Sequence, residues 1–142
     1  MCIRDRCYVN AITGARSNGA RVRIILDQDQ WLTGSSKDKR NAVESCRLIG
    51  CLLKVRKPKR HATLTKFAAQ HEKSILIDAM LVVGSHNLTY NSTDTCEEVG
   101  VFLREEEAVR RAEEHFETLW LDAVEEFPEP VLPPQLKGER SG

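Results

Sequence analysis

The apolar positions of the chain recur with two different periods. From Arg21 to Asp27 the residues alternate and then run apolar through Ile24, Ile25 and Leu26, the pattern of a strand covered on both faces. Leu52 to Arg56 is a second short run of the same kind. Between them Ala42, Val43, Cys46 and Ile49 keep helical spacing, which predicts a helix from Lys37 to about Ile49 with Ser36 as N-cap and Gly50 as its stop. Strand, helix, strand then predicts one right-handed crossover and a parallel pair. Gln28 to Ser35 reads as a loop in which Trp31 is a packing residue.

Two further apolar runs, Ser74 to Ile77 and Met80 to Val83, are parted only by Asp78-Ala79, which suits a tight turn between antiparallel strands. After the polar stretch Thr89 to Thr95, residues Glu97 to Leu103 predict a third long strand. Cys7 to Ser17 reads as a helix ended by Asn18-Gly19. Glu105 to Ala123 is an amphipathic helix with Ala108, Val109, Ala112, Phe116, Leu119, Trp120 and Ala123 on one face, and its acids crowd the first turn. His115 lies beside that stripe and reads as a surface histidine. The expected fold is α/β, a mixed, mostly parallel β-sheet flanked by helices.

At 142 residues this is one domain with a core of ordinary size. Residues 1–20 are expected to be a truncated or partly artefactual segment, because Met1-Cys2-Ile3-Arg4-Asp5-Arg6 resembles a translated cloning or assembly scar. Residues 21–126 form the expected domain, and 127–142, with Pro128, Pro130, Pro133 and Pro134, a disordered tail. Five cysteines without regular spacing indicate neither a disulfide framework nor a zinc site, so an intracellular, reducing setting is expected. No stretch approaches a membrane-spanning length, so a soluble chain is expected.

Lysine plus arginine and aspartate plus glutamate both count 21, and the zero net charge nominates no partner. Its distribution does. Lys54, Arg56, Lys57, Lys59, Arg60 and Lys66 follow one another with no acid between, a candidate polyanion contact just ahead of His71.

The chemistry is concentrated in residues 71 to 87. On a strand, His71 and Lys73 point the same way. A hairpin returning after Asp78-Ala79 brings Gly84, Ser85 and Asn87 back beside them. Lysine and amide donors hold a doubly coordinated anion such as a phosphodiester, and a neutral imidazole can attack its phosphorus. No metal or other cofactor is required.

His71-x-Lys73-x4-Asp78 followed by Gly84-Ser85-x-Asn87 resembles the signature of the phospholipase D superfamily, the HKD phosphodiesterases. One departure is visible: five residues separate Asp78 from Gly84 where the family has six, which bears on the partner of Asp78 more than on the His/Lys pair. The resemblance implies a phospholipase D-like half-domain with His71, Lys73 and Asp78 as catalytic residues and Ser85 and Asn87 at the phosphate. It also implies an acid at the head of the third strand that orients the imidazole. Glu98 fits that place best, with Glu97 the alternative.

Single-signature members resemble mitochondrial cardiolipin hydrolase or bacterial HKD endonucleases, so the implied substrate is nucleic acid or an anionic phospholipid such as cardiolipin. Such members complete the site by forming a homodimer. Peripheral attachment to a mitochondrial membrane is expected only if an upstream anchor precedes the chain. Two other readings stand beside this one: the C-terminal half of a two-signature phospholipase D or phosphatidyltransferase, and a non-catalytic polyanion-binding module.

Overall fold

The first two apolar runs form β1 (Arg23–Asp27) and β2 (Leu52–Arg56), which pair in parallel with Ile24 opposite Leu53 and Leu26 opposite Val55. This computed structural model describes residues 6–33, 37–57, 71–85, 87, 97–125 and 127. Ile24, Leu26, Leu53 and Val55 turn to one face, where they meet Trp31, Ala42, Val43, Cys46 and the flanks of Tyr8 and Ile12. Ile25 turns to the other face and meets Leu119 and Ala123. The pair is therefore covered on both sides, as its apolar runs require, and each fully buried aliphatic side chain contributes about 1.5–3 kcal/mol.

Three helices serve the first face. α1 (Arg6–Ser17) lies against α3 (Lys37–Leu48), and both end at a glycine with positive φ, Gly19 at 85° and Gly50 at 81°. Arg16 joins the two ends: its Nε donates to Ile49 O at 3.1 Å and its Nη1 to Ala20 O at 2.6 Å, so one guanidinium satisfies carbonyls that the helices leave open. The segment expected to be a loop is partly helical, α2 (Gln28–Thr33). The reason is Trp31, only 8% exposed, whose burial against the core holds the chain in a helical turn. Ser36, the expected N-cap of α3, lies outside the described residues.

Cys46 is fully buried in this layer, and burial pushes its thiol up to about 11. Burial also raises the neighbouring Cys51. Among the described cysteines, Cys7, Cys46 and Cys51 form no disulfide.

The other strands form a separate antiparallel sheet in the order β3 (Ser74–Ile77), β4 (Met80–Gly84), β5 (Gly100–Leu103). The α/β class holds, but the expectation of a mostly parallel sheet needs correcting, since two of the three described strand pairings are antiparallel. A two-residue turn can join only antiparallel neighbours, and β5 extends that hairpin. The third strand is also shorter than its apolar run, starting at Gly100 rather than Glu97.

The final helix, α4 (Glu106–Asp122), closes the second face of the parallel pair and also touches β3 and β4. Arg23 forms a two-bond pair with Glu117, one bond measuring 2.9 Å, while its guanidinium lies 4.9 Å from the Phe116 ring centroid. The carboxylate raises the arginine, and the guanidinium holds Glu117 below the usual carboxylate range. Phe127, assigned by sequence to the tail, packs edge-on against Trp31 with ring centroids 5.0 Å apart. Residues 128–142 lie outside the described residues. No described helix is long and apolar enough to cross a membrane.

Candidate active site

Asp78 opens the hairpin turn with φ 48°, in the left-handed region that aspartate tolerates better than most residues. The register that follows pairs Ile77 with Met80, Leu76 with Leu81, Ile75 with Val82 and Ser74 with Val83. Of the five residues between Asp78 and Gly84, Ala79 completes the turn and the other four form the ladder. Gly84 therefore arrives opposite Lys73, and its N–H donates to Lys73 O at 3.2 Å.

On its other side Gly84 faces Gly100 of β5. The row Lys73, Gly84, Gly100 thus carries one side chain and two positions without one. Residues 71–73 precede the strand; His71 is exposed and Lys73 is half-buried. Lys73 Nζ donates to His71 O at 2.7 Å, which ties its ammonium to the backbone of the histidine.

Ser85 and Glu98 meet at this rim. The Ser85 hydroxyl donates to Glu98 Oε2 at 2.5 Å and accepts from Val99 N at 3.1 Å, while Ser85 N donates to Val99 O at 3.0 Å. Its one proton is committed to the carboxylate, so Ser85 can donate to a phosphate only by releasing Glu98. The hydroxyl accordingly holds the acid in place at the head of β5. Asn87 is half-buried two residues further on, and His86 lies outside the described residues.

Asp78 does not join this group. It occupies the turn at the far end of the hairpin, five residues from Lys73, or about 17 Å along a strand. Its position suits a turn former that sets the register. The basic run also changes character. Lys54 Nζ donates to Trp120 O at 3.1 Å near the C-terminus of α4, and Arg56 Nε bonds Asp122 Oδ2 at 2.9 Å. The helix end attracts both cations, so they fasten α4 to β2 and do not offer themselves to a polyanion. Lys57 is exposed, and residues 58–66 lie outside the described residues.

One linkage beside the site escaped the sequence reading. Glu72, between His71 and Lys73, accepts from Ser74 Oγ at 2.6 Å through Oε1 and meets His115 Nε2 at 3.0 Å through Oε2. Strand alternation carried the signal, because a residue between two that face one way must face the other, toward whatever covers the sheet there. The covering element could not be read without knowing where α4 docks.

Among the described residues, the hairpin register brings Lys73 beside Gly84, with the exposed His71 ahead of the lysine and the Ser85–Glu98 pair following the glycine. Comparison with known proteins identifies the family and the fold. The family model described as "Cardiolipin synthase, PLD-like domain" matches residues 1–120. No curated protein matches the chain. Among solved structures, NucT from Helicobacter pylori superposes with a TM-score of 0.78 at 18% identity, over 88% of this chain and 77% of that one. Nuc from Salmonella typhimurium, described as a phospholipase D family member, gives 0.70 at 19% identity, over 89% of this chain and 78% of that one.

Proposed function

The chain belongs to the phospholipase D-like family, and from that premise we propose that it hydrolyses phosphodiester bonds through a phosphohistidine intermediate. The observation that carries this reading is the hairpin register, which sets Gly84 against the backbone of Lys73, with the Lys73 ammonium on His71 O and His71 exposed. In the proposed reaction a ring nitrogen of His71 attacks phosphorus, forming a P–N bond as the P–O bond to the leaving group breaks. Lys73 and Asn87 hold the non-bridging oxygens, whose charge grows in the transition state. Glu98, steadied by Ser85, fixes the imidazole tautomer. Water then attacks phosphorus, breaks the P–N bond and frees His71. Asp78 contributes through the turn that sets the register.

The leaving oxygen needs a proton while the nucleophile must be neutral, so one imidazole cannot serve both roles in the first step. A second copy of the chain supplies the other His71, which protonates the leaving oxygen and then takes the proton of the attacking water, and the active species is a homodimer. The substrate class is a phosphodiester, in a nucleic-acid backbone or an anionic phospholipid such as cardiolipin.

Hydrolysis of bis(p-nitrophenyl) phosphate with and without chelator tests the reaction, and parallel assays on single-stranded DNA and on cardiolipin vesicles separate the two substrates. Turnover that survives chelator and disappears in His71→Ala is the expected result. Salt-sensitive binding to DNA without any turnover would overturn it in favour of a polyanion-binding module, and full activity from a monomer would refute the paired site.

A further inference from the structure

We infer that Glu72 and His115 form a positioning pair for the phosphodiesterase reading above, on which the role rests: they hold the segment bearing His71 and Lys73 against α4. Residues 71–73 lie ahead of β3 and outside its registered ladder. The described bonds on this segment are few. Gly84 N reaches Lys73 O at 3.2 Å, and Lys73 Nζ reaches His71 O at 2.7 Å. The first holds the segment only at its inner end, and the second lies within it.

Glu72 supplies the outside anchor. Its two oxygens are divided between Ser74, on the strand behind it, and His115, in the middle of α4 and 43 residues away. An Nε2–H can donate to this carboxylate whether the ring is neutral or cationic. With Glu72 held beside Ser74 and drawn toward the helix, an extended path through residues 71–73 sends His71 and Lys73 to the side away from α4.

An exposed pair of this kind adds little to global stability, because water competes for both partners. Placement is a different matter. A nucleophile displaced by about 1 Å from its line of attack can lose about a hundredfold in rate. Removing the pair should therefore register in kcat far more than in Tm.

The test compares His115→Ala, His115→Gln, Glu72→Ala and the double alanine variant with wild type. Bis(p-nitrophenyl) phosphate turnover and backbone amide hydrogen exchange at residues 71–73 are both measured. Glutamine keeps an N–H donor at the same reach as Nε2. The expected result is a fall in kcat of roughly tenfold in both single alanine variants, with KM rising as Lys73 is loosened along with His71. The glutamine variant recovers most of the rate, and the double variant is no worse than either single one. Amide exchange at 71–73 rises in the alanine variants and not in His115→Gln. Wild-type kcat in His115→Ala overturns the positioning role. Unchanged exchange overturns it even if wild type hydrolyses nothing, an outcome that would separately sink the phosphodiesterase reading.

Discussion

Replacing Ser85 with alanine separates two roles that the motif alone would merge. The hydroxyl donates to Glu98 Oε2 at 2.5 Å and accepts from Val99 N at 3.1 Å, both near the exposed end of β4. A hydrogen bond to a charged acceptor contributes about 1.5–3 kcal/mol where water is excluded, and water at this rim replaces part of it. If about 1.4 kcal/mol of the loss reaches the transition state through a misplaced Glu98, kcat falls about tenfold. KM should hold, because the oxygen contacts assigned to Lys73 and Asn87 are untouched. Tm should fall by no more than a few degrees. Initial rates against bis(p-nitrophenyl) phosphate give kcat and KM separately, and Ser85→Ala/Glu98→Gln should be no slower than Glu98→Gln alone. A raised KM with unchanged kcat would show that the hydroxyl binds phosphate directly, and additive losses in the double variant would show that Ser85 and Glu98 act independently.

Other expectations concern the frame that carries this rim. Arg23→Met keeps the stem over Phe116 but loses the pair with Glu117. Glu117 is held below its ordinary 4.5 in the folded chain, so the pair's contribution is present above that pH and is lost as pH falls further. The stability gap between wild type and Arg23→Met in urea titrations should therefore narrow on acidification below pH 4.5. Cys7 should react with a thiol reagent at pH 8 while buried Cys46, pushed up to about 11, reacts only on unfolding. Because the folded chain favours the Cys46 thiol over the thiolate, that contribution is complete below the ordinary 9.0 and is lost as pH rises through about 11, which alkaline melting curves would reveal. Asp78→Gly accepts the positive φ at the hairpin turn and should preserve both Tm and kcat. Asp78→Val should cost about 1–2 kcal/mol, and a large loss of kcat in the glycine variant would place the carboxylate in the chemistry.

Local periodicity made much of this molecule legible. Alternation and a two-residue gap were enough for the β3–β4 hairpin. The apolar runs at Ile24–Leu26 and Leu53–Val55 likewise announced a parallel pair covered on both faces. Each of these depends on residues close in sequence, whose geometry the chain's own repeat dictates.

What only packing decided lies between residues far apart. Lys54 and Arg56 looked like the start of a polyanion grip until α4 brought Trp120 O and Asp122 to them. Trp31 turned an expected loop helical because the core had room for an indole. The proton of Ser85 went to Glu98, and Glu72 found His115, because β5 and α4 dock where they do. Sequence spacing sets which way a side chain points, whereas the partner it meets there depends on how whole elements pack, which no local pattern encodes.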